Sequence, residues 1–359
     1  MDNERNLMIF VKQEGITFDD VLLMPQHSTI KSRQDVDLVS LVTNEDQFEI
    51  PIIAANMDTV TGYEMALAMH ELGGLGIVHR FMSPEEQAGI IRSLYSAGVG
   101  SPAAAIGVNS MKNGRLKKLV GSGAEIICID VAHSDHTLVY DILDEIRNEY
   151  DRLPFSIIVG NIATYGAATR LLTVYGDMIG ALKVGIGPGS LCSTRIVTGH
   201  GVPQITAIDS VRKAIDSLNS DVKLIADGGI RNSGDIVKAL AAGADSVMIG
   251  GLLAGCDETP GNIITVNERR CKVYRGMASY DAMADIGKNT KAAEGFSAVV
   301  SCKGPVKPIV EDLISGIRSG CSYSGARDLN QLRKNAQFIK VSPATVAENH
   351  PHLFNRLKD

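Results

Sequence analysis

An α/β fold, in which eight parallel strands close into a (β/α)8 TIM barrel, is predicted by two observations. Between about residues 51 and 255, short apolar runs that end in a small or polar residue alternate with longer amphipathic stretches. The apolar runs number eight, which is the strand count of such a barrel. A doubly wound open sheet would show the same alternation, but the Gly-rich dinucleotide turn expected after its early strands is absent from the sequence.

Each predicted strand is rich in Ile, Val, Leu and Ala. The runs are PIIAAN (51–56), LGIVH (75–79), AAAIGV (103–108), EIICID (125–130), FSIIVG (155–160), ALKVGI (181–186), KLIADG (223–228) and DSVMIG (245–250). Capping boxes formed by Thr61 with Glu64 and by Ser83 with Glu86 predict two helix starts, and Gly73 stands where a helix C-cap belongs.

The composition indicates a globular protein that acts on small molecules. Of its 359 residues, 45% are apolar, and the net charge of -6 comes from interspersed charges that give no basic footprint for nucleic acid or anionic lipid. No apolar run reaches the roughly 18 residues of a membrane span. The six cysteines include no CxxC pair, and the N-terminus lacks a signal region, so a reducing cytoplasm is expected.

The chain is predicted to form one catalytic barrel domain over residues 1–359. An N-terminal extension of about 50 residues precedes the barrel at about 51–255, and a flap and C-terminal segment follow at about 256–359. Within that last part, ASYDAMADIGKNTKA (278–292) is polar, rich in small residues and without a clear period. We therefore expect this stretch to form a flap over the barrel mouth.

Polar, glycine-rich stretches follow the predicted strands, at the end of the barrel where reactions occur. Asp227-Gly228-Gly229 follows the seventh strand, and Gly250-Gly251 follows the eighth. Such barrels commonly seat a phosphate there on exposed backbone N–H groups. An aspartate beside the phosphate suits the hydroxyls of a ribose, so a nucleotide is expected. The alternative is that these are two ordinary glycine turns.

The segment GIGPGSLCSTRIVTG (185–199) is the strongest chemical signal. Its three leading glycines allow a tight fold, in which loop carbonyls can hold a monovalent cation and loop N–H groups can meet an anion. A lone cysteine is most often a small buried hydrophobe. Here, however, the setting is polar, Thr194 lies two residues beyond Cys192, and Arg195 adds positive charge that favours a thiolate. This pattern predicts a nucleophilic thiol that attacks a nucleotide base.

Several long motifs extend this interpretation across nearly the whole chain, from about Phe18 to His352. They are FDDVLL, PIIAANMDTVTGYEMA, GIGPGSLCSTRIVTGHGVPQ, IADGGIRNSGDIVKALAAGAD, VMIGGLLAG and YRGMAS. Together they closely resemble the family of IMP dehydrogenases and GMP reductases. The resemblance implies a TIM barrel, usually a homotetramer, in which the loop cysteine attacks C2 of the purine ring to form a thioimidate. Hydride then passes between C2 and a nicotinamide.

The direction of the reaction is predicted from what the two branches of the family need. The dehydrogenases hydrolyse the intermediate with an Arg-Tyr pair on a long flap, and most insert two CBS domains between the second and third strands. Here the helix predicted after the second strand ends at about Ala97 and the third strand begins by Ala103, so no domain can be inserted between them. The stretch between Met277 and Glu294 contains no Arg. SRQDVDLVSLV and PIIAANMDTV also look more like the reductases. The resemblance therefore favours an NADPH-dependent GMP reductase of purine salvage, which releases ammonia from GMP to give IMP.

Site residues are carried over by match of motif. The catalytic residues would be Cys192, Thr194 and Glu294, the last two as the proton-transfer pair for the departing amine. The nucleotide-binding residues would be Ser190, Asp227, Gly229, Gly250, Gly251, Tyr274, Gly276, Met277 and Ala278. The cofactor-binding residues would be Arg80, Asp130, Val131, Ala132, Ile186 and Gly187, with Ser319 and Ser322 serving a neighbouring subunit. The potassium loop would comprise Gly187, Gly189, Cys192 and Arg195.

Some features depart from the reductase pattern. Arg80 stands where the reductases commonly have Lys, His133-Ser134 stands in place of Asn-Gly, and YRGMAS and AENHPHLF lean towards the dehydrogenases. An IMP dehydrogenase without CBS domains is therefore the first alternative. A catalytically silent nucleotide-binding barrel is the second, and the presence of Cys192, Thr194 and Glu294 together argues against it.

Overall fold

The computed structural model describes residues 14–285 and 293–349, and the predicted barrel is confirmed within them. Eight parallel strands form a closed ring in chain order, because the eighth strand pairs with the first through Ile249 and Ala54. The strands are β1 (Ile52–Ala54), β2 (Leu75–Val78), β3 (Ala103–Ile106), β4 (Ile126–Asp130), β5 (Ser156–Ile162), β6 (Ile179–Val184), β7 (Lys223–Asp227) and β8 (Ser246–Ile249).

Eight helices surround the strands. They are α1 (Tyr63–Glu71), α2 (Pro84–Ser96), α3 (Arg115–Val120), α4 (Thr137–Glu149), α5 (Tyr165–Tyr175), α6 (Gln204–Ser217), α7 (Ser233–Ala241) and α8 (Val306–Tyr323). The last of these packs against both α7 and α1, so it fills the eighth position of the helical ring. It lies beyond residue 255, where the sequence patterns alone end the barrel, because residues 251–305 intervene between β8 and its helix.

The interior of the barrel is a separate apolar core. Ile53, Ile77, Ile158 and Ile225 point into it from four strands, and each is fully buried. The N-terminal extension contributes Val42, also fully buried, next to a short antiparallel hairpin of Ser40–Leu41 and Gln47–Phe48. The extension therefore helps to fill one end of the barrel, which leaves the carboxyl ends of the strands to build the site.

One of the two predicted capping boxes is present. Ser83 and Glu86 exchange side-chain to backbone hydrogen bonds at the start of α2. The prediction of a capping box at Thr61 is wrong, because the Thr61 hydroxyl donates to the carbonyl of Ala55 at 2.7 Å. Helix α1 starts from Gly62, which has no side-chain cap. The Thr61 hydroxyl therefore satisfies a buried main-chain carbonyl just after β1 and does not cap the helix.

The segments outside the ring flank its two ends. Val21–Leu23 pairs antiparallel with Phe338–Lys340 and ties the two ends of the described chain together. A three-stranded sheet of Ile264–Val266, Arg269–Arg275 and Ser297–Ser301 follows β8. The remaining elements are the 3-10 helices Phe18–Asp20 and Arg33–Asp35 and the short helices Thr194–Thr198, Tyr280–Asp285, Leu329–Asn335 and Pro343–Glu348.

The predicted flap at 278–292 is described as far as residue 285, where the Tyr280–Asp285 helix ends, and residues 286–292 of it lie outside the described part. Among the helices that the structure describes, none combines the length and the apolar character needed to cross a bilayer.

Candidate active site

A cleft of about 970 Å³ opens at the carboxyl ends of the barrel strands. The predicted site residues that line it are Arg80, Asp130, Val131, Ala132, Ile186, Gly187, Gly189, Ser190, Cys192, Thr194, Arg195, Asp227, Gly229, Gly250, Gly251, Tyr274, Gly276, Met277, Ala278 and Glu294. Ser319 and Ser322 are absent from its lining and lie on α8. The closed ring therefore gathers residues from distant parts of the sequence into one cavity, as expected of such barrels.

A hydrogen-bonded relay begins at the thiol of Cys192. Its Sγ donates to Thr194 Oγ1 at 3.2 Å, and the Thr194 hydroxyl in turn donates to Glu294 Oε2 at 2.8 Å. The thiol proton thus has a direct path to a carboxylate, because each group hands its hydrogen to the next. A thiol, a hydroxyl and a carboxylate thus form a chain in which each group lies within hydrogen-bond reach of the next.

Backbone pairing holds the two halves of this relay together. The Ser193 N–H donates to the carbonyl of Glu294 at 3.0 Å, and the Phe296 N–H donates to that of Leu191 at 3.0 Å. Cys192 and Gly295 form an antiparallel bridge between the two segments. The order of the Cys192 loop therefore depends on chain that lies about a hundred residues further on, a contact that sequence spacing does not reveal.

The other cysteines provide a contrast. Burial raises the pKa of Cys128 and of Cys321 to about 12, and that of Cys256 to about 11. Each of these three is fully buried, as a small apolar residue would be. Cys192 is half-buried and lines the cleft. Among these cysteines, it is the one whose thiol a ligand in the cleft can reach.

Two glycines after β8 allow a ligand to approach the backbone closely. A Cβ atom on Gly250 would lie 3.0 Å from Met57 Sδ and 3.1 Å from the Tyr274 hydroxyl, and one on Gly251 would lie 3.3 Å from Ser190 Oγ. The Tyr274 and Ser190 hydroxyls are themselves 3.4 Å apart. Backbone N–H groups and two hydroxyls in so small a volume are suited to the oxygens of a phosphate.

Tyr274 is held in its neutral form. The ring is buried, and this burial raises the pKa of its hydroxyl above the ordinary value, outweighing the opposite effect of the Ser190 hydrogen bond. A neutral phenol keeps its proton, so it is able to donate a hydrogen bond to an anion.

An ion cluster that the sequence reasoning missed lies beneath this site. Lys183 Nζ donates to Asp130 Oδ1 at 2.9 Å and to Asp227 Oδ2 at 3.0 Å, and it also hydrogen bonds Asn161 Oδ1. Asp130 and Asp227 are among the predicted residues, whereas Lys183 and Asn161 received no role. The available signal was a lysine inside the otherwise apolar strand run ALKVGI, since buried lysines are rare unless paired.

The lining of the cleft also contains Arg80, Val131 and Ala132. The Arg80 guanidinium carbon lies 4.9 Å from the centroid of the Phe81 ring, and its buried Nε has no hydrogen-bond partner among the described residues. An unsatisfied buried donor beside the carboxylate of Asp130 is suited to a polar ligand. The residues present therefore fit the sugar or amide groups of a nicotinamide cofactor.

The predicted potassium loop is tightly folded. Gly187 has a φ of +82°, and a Cβ there would lie 2.6 Å from Arg195 Cγ, so the loop packs directly on this side chain. Arg195 is exposed and donates through Nη2 to the carbonyl of Val202 at 2.9 Å. The Cys192 thiol donates to Thr194. Within the described residues no group of three or more His, Cys, Asp or Glu could hold a metal ion.

A second missed pair fixes the segment YRGM in the cleft wall. Arg275 donates through Nε and Nη2 to Asp58 Oδ2 at 2.8 and 2.5 Å, and the Arg275 N–H donates to Thr59 Oγ1 at 3.2 Å. The Asp58 N–H lies 3.4 Å from Met277 Sδ. The residues after β1 therefore position the predicted nucleotide-binding residues that follow Arg275.

Comparison with known proteins identifies relatives from two branches. The profile described as "IMP dehydrogenase / GMP reductase domain" matches residues 15–352. An inosine-5'-monophosphate dehydrogenase of Nitrosopumilus maritimus is 33% identical over a 478-residue alignment that covers 95% of this chain and 98% of the relative. That of Cryptosporidium parvum is 35% identical over 398 residues, covering 96% and 97%. Both alignments exceed the 359 residues of this chain, so these relatives carry segments that it lacks.

A solved structure carries the other name. The crystal structure of a cysteine-to-alanine variant of GMP reductase from Trypanosoma brucei, in complex with guanosine 5'-monophosphate, matches this fold with a TM-score of 0.89. It is 29% identical in sequence, and the match covers 96% of this chain and 98% of that chain. With a profile that matches nearly its whole length, the chain belongs to the IMP dehydrogenase / GMP reductase family of oxidoreductases.

Proposed function

We propose that this protein is a GMP reductase, which converts GMP to IMP and ammonia with NADPH in purine nucleotide salvage. One observation carries the proposal: the Cys192 thiol is hydrogen bonded through Thr194 to the carboxylate of Glu294, while the stretch between Met277 and Glu294 contains no Arg in the sequence. A dehydrogenase must activate water, for which its family uses an Arg-Tyr pair on the flap. A reductase needs only to protonate an amine.

The relay supplies that proton. As Cys192 Sγ bonds to C2 of the purine, its proton passes through the Thr194 hydroxyl to Glu294, along the 3.2 and 2.8 Å hydrogen bonds. Glu294 then returns a proton by the same path to the 2-amino group, which leaves as ammonia while the thioimidate forms. NADPH, when bound, would supply the hydride for C2. The carbon–sulfur bond then breaks with its electron pair on sulfur, and a proton from solvent returns the Cys192 thiolate to the thiol.

The remaining residues bind and orient the reactants. Ser190, Gly229, Gly250, Gly251 and Tyr274 are assigned to the phosphate, and the Asp227 carboxylate to the ribose hydroxyls. The segment Gly276, Met277 and Ala278 is assigned to the base. Arg80, Asp130, Val131, Ala132, Ile186 and Gly187 are assigned to NADPH, and the half-buried position of Arg80 in the cleft supports this over a role as a surface charge.

Three further assignments belong to the proposal. Main-chain carbonyls of Gly187, Gly189, Cys192 and Arg195 would hold K+. The protein would act as a homotetramer, with Ser319 and Ser322 contacting the cofactor of a neighbouring subunit. The described cysteines are all unpaired, which suits a reaction in the cytoplasm.

A second candidate is an IMP dehydrogenase that oxidises IMP to XMP with NAD. The names of the curated relatives favour it, including the 35% identical protein of Cryptosporidium parvum, whose alignment with this chain is the shorter one. The two candidates share Cys192 and the thioimidate. They differ in what happens at C2: the reductase releases ammonia from it and adds hydride, whereas the dehydrogenase removes hydride from it and adds water.

An activity measurement in both directions separates the candidates. Purified protein is given GMP with NADPH, and in a parallel reaction IMP with NAD, while the absorbance of the reduced nicotinamide is followed. We expect NADPH consumption with GMP, matched by equal amounts of IMP and ammonia, and none with the Cys192→Ala variant. Formation of XMP from IMP and NAD, without turnover of GMP, would make the protein a dehydrogenase.

A further inference from the structure

The buried ammonium of Lys183 connects the two halves of the cleft. Its three hydrogen bonds reach Asp130 at the end of β4, Asn161 in β5 and Asp227 at the end of β7. An ammonium has three N–H donors, and each has an acceptor here. Lys183 is therefore bonded to three other strands of the ring, at the height where the cleft begins.

Exposure separates the lysine from its partners. The Lys183 side chain is 2% exposed, whereas the side chains of Asp130 and Asp227 are 18% and 22% exposed. Lys183 and both carboxylates are among the residues that line the cleft. The lysine side chain is almost wholly covered there, whereas each acid leaves about a fifth of its side chain open to a ligand. The acids can touch the ligands directly, and Lys183 acts on them from beneath.

Asn161 links the ammonium of Lys183 to the start of the Cys192 loop by hydrogen bonds. Because its Oδ1 accepts from Lys183, its Nδ2 is the end that points elsewhere, and it donates to Gly185 O at 2.7 Å and to Asp227 Oδ2 at 2.8 Å. Gly185 is the first residue after β6, where the Cys192 loop starts. A continuous set of hydrogen bonds therefore joins the ammonium to the root of that loop.

The charges in this cluster depend on one another. Burial alone would raise the pKa of Asp130, but the charges of Lys183 and Arg80 outweigh it and hold this pKa below the ordinary value. The same two carboxylates hold the pKa of Lys183 above its ordinary value despite burial. The other titratable groups that interact with them are Cys128, a thiol that burial keeps neutral, and Tyr274, whose pKa is raised by burial and by the charge of Asp227. Without the ammonium, two carboxylates would share one partly buried site with only Arg80 to offset their charge.

The neighbouring strand makes room for this lysine. A Cβ atom on Gly160 would overlap the Cβ of Lys183 and lie 2.8 Å from its carbonyl oxygen. Gly160 pairs with Lys183 across β5 and β6, and it also pairs with Asp130 across β4 and β5. A side chain at this position would push the strands apart where the ion cluster forms.

We propose that Lys183 is a positioning residue, which orients the carboxylates of Asp130 and Asp227 and the amide of Asn161 for the nicotinamide and the nucleotide together. The inference rests on the proposed function for the identity of the two ligands. It predicts that a substitution of Lys183 lowers the affinity for both ligands, although Lys183 is assigned to contact neither of them.

The test compares Lys183→Met with Lys183→Arg, which keeps the charge. Calorimetric titration with GMP or IMP, alone, measures nucleotide affinity without any turnover. We expect K183M to lower the affinity for the nucleotide at least about tenfold. The affinity of K183R should stay within about threefold of that of the unaltered protein, because the carboxylates lose their cation only in K183M. Lys183→Gln removes the charge but keeps a donor, and it replaces K183M if that variant does not fold.

The pH dependence of kcat/KM gives a readout that a general loss of stability would not move. Losing the ammonium removes a charge that lowers the pKa of Asp130, so the acid limb of the profile for NADPH should move to higher pH in K183M and return in K183R. The matched control is Lys272→Met. Lys272 is also buried, but it donates to the carbonyls of Cys256, Asp257 and Thr259.

The outcomes are distinct. K272M should lower the urea midpoint and leave nucleotide affinity and the acid limb unchanged. If K183M behaves like K272M, Lys183 only stabilises the fold and the positioning role is overturned. If the unaltered protein binds neither GMP nor IMP, the proposed function fails instead, and that result is visible before any variant is made.

Discussion

Two adjacent layers of side chains inside the barrel come from the same strands, but one is apolar and the other carries charged groups. The lower layer contains Cys128, Ile158, Ala181 and Ile225, all fully buried and apolar. The positions two residues further along the same strands are Asp130, Gly160, Lys183 and Asp227. Since side chains in a strand alternate with a period of two, both layers project towards the same interior.

The contrast shows how the barrel separates stability from function. The lower layer gains free energy by removing apolar surface from water, and it fixes the distance between the strands. That fixed frame holds the two acids and the ammonium of the upper layer at hydrogen-bond distance, together with the amide of the adjoining residue Asn161. Changes in the lower layer should therefore alter the free energy of unfolding, and changes at the upper end should alter activity at nearly constant stability.

The largest expected effect lies above the upper layer, at the nucleophile. Cys192→Ala removes the covalent step and should lower kcat by at least about 10⁴-fold, as removal of a catalytic nucleophile does elsewhere. The urea midpoint should stay close to that of the unaltered protein, because Cys192 is only half-buried. Steady-state kinetics with GMP and NADPH measure the loss. Cys302→Ala, a half-buried cysteine outside the cleft lining, is the control and should keep full activity.

Glu294→Gln should give the next largest effect. It keeps the shape of the side chain but removes the base at the end of the 2.8 Å hydrogen bond from Thr194, so kcat should fall about 10²- to 10³-fold. The affinity for GMP, measured by calorimetry, should change little. A variant that keeps kcat within about threefold would show that the proton leaves Cys192 by another route.

Ile158→Ala tests the lower layer. Ile158 is fully buried in the barrel interior, so its truncation should cost about 2–5 kcal/mol of unfolding free energy in urea denaturation. Ile158→Val should cost only about 1 kcal/mol. Activity per folded molecule should be preserved in both. A large loss of kcat at full folding would break the separation between the layers.

The smallest effect concerns His79, which follows β2 at the polar end yet carries no charge. Burial, followed by the charges of Arg275 and Arg115, lowers the pKa of His79 from 6.5 to about 4. Between pH 6.5 and 4 the unfolded chain therefore binds a proton at this histidine and the folded chain does not. The free energy of unfolding should fall by up to about 3 kcal/mol as the pH drops from 6.5 towards 4. Urea midpoints of the unaltered protein and His79→Gln between pH 7 and pH 4 check this. Parallel pH dependence of the two proteins would contradict it.

Much of this molecule is predictable from its sequence, because the dominant signals are local. Alternation of apolar runs with amphipathic stretches locates all eight strands, and the strand ends point to the cleft residues. The position of α8 was not predictable, since 251–305 interrupts the alternation. The role of Lys183 was missed for a related reason. Its partners lie on three other segments, and only the closed ring brings them within 3.0 Å.

The relay illustrates the same limit. The chemical types of Cys192, Thr194 and Glu294 suggest it, but the backbone pairing that aligns Glu294 with the loop joins segments about a hundred residues apart. Similarly, Arg195 has the charge that favours a thiolate, yet it donates to Val202 on the exposed side of its loop. Residue type predicts which groups can react, and tertiary contacts decide which of them meet.

The central claim is that this site releases ammonia from C2 of GMP and then transfers hydride to the same carbon. The most direct measurement uses NADPH that carries deuterium at both C4 positions, with mass spectrometry of the purine product. The account predicts IMP heavier by one deuterium, formed in equal amount to the ammonia released, and no product with Cys192→Ala. IMP without deuterium, or XMP formed only from IMP and NAD, would contradict it.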